Sequence, residues 1–359
     1  VTVYVSDFVK SLNDYDFVIP VSKDININNV ERFFPNETLI ISNLDYSFLS
    51  LRKNFKILKT IIVDYDIDII HAHTLRAGAF AALSKFFCKN SFKLVYTGHG
   101  LRYTQKIGSL SKIIFRIIEK YTNSLSDKVI FIRKLDYDIA LDLNLVSKDK
   151  AVFIRTQLAN KKETTKILDI RSKFDVKTKY ILANAASIYD LKNPDLFIEI
   201  AKIVLKETKE ITFLWFGDGD SRNNLIKKLE LENLSEFVKF VGAVDSDLMP
   251  KVFNQIDGFL LTSKIETFPL VVLEAYTSNT FVISTNFVGY REIIKNGVTG
   301  VIFDMNNPFQ AARNILKVTF SKSQKINLLN NASNFVNSNF GNNKMFSEQH
   351  NDLYKNILK

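Results

Sequence analysis

Residues 263–300 read SKIETFPLVVLEAYTSNTFVISTNFVGYREIIKNGVTG. An apolar run at 258–262 comes just before them and predicts a buried strand. Pro269 suits the first turn of a helix, where a missing N–H costs no hydrogen bond, and the pattern predicts a helix over 269–277. Glu266 is then expected on the loop at the carboxyl end of a strand. Glu274, eight positions on, is expected about two turns into the helix on the side of the same crevice. The N–H groups of Phe268, Leu270 and Val271 would point out of the helix N-terminus, which is a ready anion site. Two carboxylates beside such a site suit a ligand that carries both phosphate and hydroxyl groups. Two solvated glutamates flanking an ordinary helix are the plainer alternative, and spacing alone leaves both open.

Working outward, 359 residues leave room for two domains, each with a sizeable core. The lone cysteine, Cys88, excludes an internal disulfide and fits a reducing cytoplasm. No run of about eighteen apolar residues predicts a spanning helix, and no signal-peptide pattern opens the chain. The formal net charge of +10 is concentrated: residues 51–135 hold 16 Lys and Arg against 5 Asp and Glu. Such a segment suits an anionic neighbour, either a phospholipid surface, a lipid-linked diphosphate or nucleic acid. No nucleic-acid-binding motif accompanies it, so nucleic acid is not an expected partner. A merely basic, solvated surface is the alternative.

Apolar residues at helical spacing open the chain over 1–12. Short strands are predicted at 17–21, 39–42, 68–73, 94–97, 129–132 and 151–154, with a helix over 48–63 and helical patterns between the later strands. That alternation predicts a parallel, doubly wound sheet, in which sites gather at the carboxyl ends of strands. His71 and His73 close the 68–73 strand in DIDIIHAHTLRAG, and His99 follows the 94–97 strand in VYTGHG. A His-x-His pair could ligate a metal, but no carboxylate or cysteine at ligand spacing completes it, so no metal is expected; buried, satisfied histidines are the alternative. The helix at 109–121 carries Lys112, Arg116 and Lys120 on one stripe and Ile113, Ile114, Ile117 and Ile118 on its apolar face. Such a helix can lie on an anionic bilayer; the favoured reading is that its isoleucines pack on its own sheet. The polar stretch 160–179 predicts a change of domain. A second alternation follows, with strands near 180–185, 211–216, 238–241, 258–262, 281–285 and 301–303, helices that include 194–207 and 222–231, and a helical tail from 345.

The spacing of Glu266 and Glu274 with Phe268-Pro269-Leu270 between them, followed by Gly289, Glu292 and Gly297-Val298-Thr299-Gly300, closely resembles the donor-site signature of the retaining glycosyltransferases of family four. The segments around His71, His73 and His99, Gly217-Asp218-Gly219 after a strand, and Lys192 in ASIYDLKNPDLF are similar to further pieces of that family. The resemblance implies an α/β chain of type B architecture, two Rossmann-like domains facing across a cleft. Residues 1–165 would form the acceptor side and 166–340 the nucleotide-sugar side, with 341–359 crossing back to the first domain. It implies transfer of a hexosyl unit from a nucleotide-sugar, expected to be UDP-linked, to a surface glycan or lipid-linked saccharide, with no metal and no cofactor. Glu266, His99 and Lys192 would be catalytic, holding sugar hydroxyls, orienting the sugar and gripping the diphosphate. Glu274, Thr267, Phe268, Pro269, Leu270, Val271, Gly217 and Gly219 would bind the donor, Glu274 through the ribose hydroxyls. His71, His73 and Ser187 would border the cleft. The implied location is cytoplasmic, with peripheral contact at the inner face of the cell membrane.

The chain departs from the family pattern in places. Ser187 stands where an arginine is typical five positions before Lys192, which removes one diphosphate-binding cation. Thr267 replaces a common glycine, and Arg155-Thr156-Gln157 lacks an Asn-Gly pair. The first strand and Gly-rich loop of domain one are expected to be missing. Two further readings stay open: a nucleotide-sugar epimerase on the same fold, and a non-catalytic, partner-binding relative.

Overall fold

A computed structural model describes residues 9, 12, 15–22, 38–42, 51–87, 92–101, 108–158, 168–245, 248–341 and 343–359. The helical pattern at 1–12 lies outside them except for Val9 and Leu12. The described chain divides into two compact units, Val1–Ala159 with Asn342–Lys359, and Asn160–Gly341.

In the first unit β1 (Val18–Ser22) pairs in parallel with β2 (Thr38–Ser42). There follow α1 (Leu51–Asp64), β3 (Ile69–His73), α2 (Leu75–Phe87), β4 (Lys93–Gly98), α3 (Ser109–Leu125), β5 (Lys128–Phe131), α4 (Lys134–Asp142) and β6 (Ala151–Phe153). Strands β3-β4-β5-β6 form a second parallel sheet in that order. Helices cover its faces, so its two central strands are largely apolar: Leu94, Val95 and Tyr96 of β4 and Val129, Ile130 and Phe131 of β5 are all buried.

Helix α3 departs from expectation. Its fully buried residues are polar, Glu119, Thr122 and Asn123, with Phe115 and Ile118 partly buried beside them, while Ile113, Ile114 and Ile117 face outward. The local reason is a close crossing of α3 over α2. A Cβ on Gly78 of α2 would lie 3.0 Å from the Thr122 methyl and 2.6 Å from the Tyr96 ring, so only small residues fit there. The buried polar groups bond internally. Tyr96 donates to Glu119 Oε1 at 3.0 Å, Asn123 Nδ2 donates to the Leu145 carbonyl at 3.2 Å, and Thr122 donates to the Ile118 carbonyl at 2.8 Å.

The second unit runs α5 (Ile170–Lys173), β7 (Tyr180–Ala185), α6 (Pro194–Glu207), β8 (Ile211–Phe216), α7 (Arg222–Leu231), β9 (Val238–Gly242), α8 (Met249–Phe253) and β10 (Gly258–Leu261). It continues with α9 (Leu270–Thr277), β11 (Phe281–Thr285), β12 (Val301–Phe303), α10 (Pro308–Phe320) and α11 (Lys322–Phe340). The six strands are parallel in the order β12-β11-β10-β7-β8-β9. The chain winds outward from β7 to β9, returns to the middle, and winds the other way from β10 to β12. The strands where the direction reverses, β7 and β10, are neighbours, and the crevice beyond their carboxyl ends is where open α/β sheets bind ligands. The core beneath is aromatic. Phe197 meets Trp215 edge to face at 5.2 Å and Phe213 at 5.9 Å, each pair adding about 0.5–1.5 kcal/mol beyond area burial. Helix α12 (Asn343–Leu358) belongs to the first unit.

Candidate active site

At the reversal point, β7 delivers the loop Ala186-Ser187-Ile188 and then a short turn of 3-10 helix, Asp190–Lys192; β10 delivers Thr262, Ser263 and Glu266. The two loops are joined. Lys192 Nζ lies 2.6 Å from Glu266 Oε1, and Ser263 Oγ donates to the same oxygen at 2.6 Å. Thr262 Oγ1 donates to the Lys192 carbonyl at 2.9 Å, the Lys264 N–H to the Leu191 carbonyl at 2.8 Å, and Lys264 Nζ reaches Asp190 Oδ1 at 2.5 Å. Lys192 and Glu266 keep only 18% and 11% of their side-chain surfaces in solvent. A cation and a carboxylate are therefore held, largely desolvated, at the mouth of the crevice. Thr262, Ser263 and Lys264, which do the holding, carry no signal in the sequence beyond their place after a strand.

Gly217 and Gly219 seat the other side of this loop. Gly217 has φ +148, and a Cβ there would sit 1.9 Å from the Ala186 carbonyl oxygen; one on Gly219 would sit 2.2 Å from that of Ile188. Backbone bonds from Ala186 to Phe216 (2.9 Å) and from Ile188 to Asp218 (2.8 Å), with one from Trp215 Nε1 to the Ala186 carbonyl (2.8 Å), close the contact. The close approach these glycines permit is to the chain's own backbone. Ser187 is exposed on that loop.

Helix α9 begins one residue later than its sequence predicts. Pro269 is the N-cap, with ψ 90 and therefore outside the helix, and Leu270 is the first helical residue. The Val272 N–H already donates to the Pro269 carbonyl at 3.0 Å, so the first-turn donors without a helical partner are those of Leu270 and Val271. Phe268 precedes the helix, and its ring packs on Phe340 at 5.9 Å. Glu274 is half-buried and stands one turn past Leu270, about 6 Å along the axis, not two turns. Thr267 is half-buried between Glu266 and Phe268.

The first unit gathers all four histidines of the chain. His71 Nε2 pairs with Thr97 Oγ1 at 2.7 Å, and its Nδ1 with the Tyr354 hydroxyl of α12 at 2.6 Å. His73 Nδ1 pairs with His99 Nε2 at 3.1 Å, and the rings of His71 and His73 stack at 4.3 Å. His350 of α12 bonds the Phe346 carbonyl at 2.9 Å. Burial, and for His71 and His73 also the neighbouring histidines, hold these imidazoles below their ordinary pKa, that of His99 at about 4. His71, with both ring nitrogens engaged by side chains, is a structural residue; His73 and His99 are neutral at physiological pH and share one hydrogen bond. Among the described residues no group of three or more His, Cys, Asp or Glu side chains is arranged to hold a metal ion.

Two family models match the chain, glycosyl transferases group 1 over residues 166–335 and glycosyltransferase family 4 over residues 3–156. Together they span most of both units, and the chain belongs to the family-four glycosyltransferases of type B fold. It is 24% identical over 285 residues to the Escherichia coli UDP-Gal:alpha-D-GlcNAc-diphosphoundecaprenol alpha-1,3-galactosyltransferase, covering 75% of this chain and 71% of that protein. It is 25% identical over 302 residues to the E. coli O-antigen biosynthesis glycosyltransferase WclY, covering 81% of each. The crystal structure of Anabaena Alr3699/HepE in complex with UDP and glucose superposes with a TM-score of 0.81 at 16% identity, covering 99% of this chain and 95% of that one.

Proposed function

We propose that this glycosyltransferase moves a hexosyl unit from a UDP-sugar to a saccharide on a surface glycan or a lipid diphosphate, with retention at the anomeric carbon and no metal. The observation that carries the reading is the Lys192–Glu266 pair, held at the β7/β10 reversal beside the N-terminus of α9. The UDP in the Anabaena complex and the UDP-Gal named for the E. coli relative support the choice of nucleotide.

The steps follow from these groups. An arriving diphosphate competes with Glu266 for Lys192 and accepts from the N–H groups of Leu270 and Val271. Glu266 is then released toward the sugar hydroxyls, and Glu274 toward the ribose. Thr267, Phe268 and Pro269 line the approach to the helix, and Gly217 and Gly219 keep the Ser187 loop in place. As the bond from the anomeric carbon to the diphosphate oxygen breaks, negative charge grows on the diphosphate. Fixed donors and a desolvated lysine stabilise that charge without reorganising, and such stabilisation is usually the largest single contribution to rate. The acceptor hydroxyl adds on the face the diphosphate leaves, and its proton passes to a departing phosphate oxygen. His99 hydrogen-bonds a sugar hydroxyl, and His73, its hydrogen-bond partner, fixes its ring.

Calorimetric titration with UDP and GDP, on the chain and on Glu274→Ala, tests the donor. Micromolar UDP binding that the substitution weakens at least tenfold is expected (about 1.4 kcal/mol). No binding of either nucleotide would overturn the reading and favour the partner-binding alternative that Ser187 suggests. NMR of the product anomer and turnover in excess EDTA test retention and metal independence. A sugar isomerised without any acceptor would instead mark an epimerase.

A further inference from the structure

Helix α3 is inside out. Leu110, Ile113 and Ile117 are 72%, 57% and 63% exposed, and Ile114 and Tyr121 lie on the same outward face. At 100° per residue these five side chains fall within one arc of roughly 100°. Lys112, Arg116 and Lys120 border the arc and are exposed. The one acid of the helix, Glu119, is turned inward to Tyr96. The rotation is anchored by the small buried residues against Gly78 and by the Asn123 bond to Leu145, so the helix does not roll to hide its isoleucines.

We propose that the outward face of α3 docks the protein on an anionic phospholipid bilayer. Charge selects this occupant. Three cations beside an apolar stripe, in a segment with 16 basic and 5 acidic residues, match anionic headgroups above acyl chains. A second copy of the chain is disfavoured, because a two-fold contact across the stripe would bring the same three cations of each copy together. The helix is about 25 Å long and would lie flat, sinking its isoleucines below the headgroups with Tyr121 at their level. Among the described residues no helix is long and apolar enough to cross a membrane, so this contact is peripheral. The inference rests on the surface of the first unit and is independent of the donor reading.

Flotation with vesicles of phosphatidylcholine alone, and of phosphatidylcholine with phosphatidylglycerol at three to one, tests it. The protein should float with the mixed vesicles, weakly with the neutral ones, and less as salt rises. The triple variant Leu110→Ser, Ile113→Ser, Ile117→Ser should lose at least about tenfold in vesicle affinity. The triple variant Lys112→Glu, Arg116→Glu, Lys120→Glu should lose the preference for phosphatidylglycerol. Both sets sit on the surface, and unchanged melting temperatures and UDP affinity would confirm that the fold is intact. Equal flotation of wild type and the serine variant would overturn the proposal, as would no flotation of wild type. So would a vesicle-free dimer, by light scattering, that only the serine variant dissolves.

Discussion

At the scale of single residues, the site turns on Lys192 and Glu266, which partner each other at 2.6 Å. Removing one leaves the other poorly solvated, which costs more than the pair itself contributes. Lys192→Met should therefore lower stability by about 1–3 kcal/mol and kcat/KM by a hundredfold or more, about 2.7 kcal/mol. Adding Glu266→Gln should restore melting temperature but not activity, and a double-mutant cycle in both readouts checks this. Ser187 sits exposed on the loop held by Gly217 and Gly219, five residues before Lys192. Ser187→Arg should raise UDP affinity by roughly tenfold through a bidentate phosphate contact, measured by calorimetry. Gly217→Ala should destabilise by about 2 kcal/mol or more, because its Cβ would strike the Ala186 carbonyl in a backbone region that L side chains avoid; chemical denaturation reads this directly. The sequence marks all of these residues as candidates. It does not pair Lys192 with Glu266, because 74 positions separate them and only the meeting of β7 and β10 brings them together.

At the scale of elements, α3 and α9 show where periodicity runs out. The pattern finds both helices, but it cannot say which side of a helix the fold will cover. In α3 a close crossing at Gly78 selects the small polar face, and the apolar face goes outward. One consequence is a buried carboxyl. Burial, opposed by the Tyr96 hydrogen bond and assisted by Asp136, lifts Glu119 from its ordinary 4.5 to about 7. The folded state thus holds this proton more tightly than the unfolded chain. The stabilisation is complete below pH 4.5 and is lost as pH rises through about 7. Glu119→Gln keeps an acceptor for Tyr96 and should be more stable than wild type at pH 8 relative to pH 5, as thermal melts at the two pH values would reveal. In α9 the helix starts at Leu270, because Pro269 takes an extended ψ as the cap. That places Glu274 four residues past the first helical residue, about one turn from the anion-binding end.

At the scale of the molecule, α12 brings His350 and Tyr354 onto the cluster of His71, His73 and His99. Burial lowers the pKa of all four histidines, to about 4 for His99 and His350, so the unfolded chain takes up protons that the fold refuses. Stability should fall as pH drops from 6.5 toward 4. In that window four histidines act against the opposite slope of Glu119, so the net trend should follow the histidines. Melting temperature against pH measures it, and His350→Phe should flatten the acid limb. By itself, the sequence determined the alternation of strands and helices, the acidic pair around Pro269 and, through them, the family, because these are local patterns of residue type and spacing. The tertiary structure alone decided the strand order that puts β7 beside β10, the Lys192–Glu266 pair, the four-histidine cluster and the outward turn of α3. Each of those depends on contacts between segments far apart in the chain, and pairing at that distance leaves no periodic trace in the residues themselves.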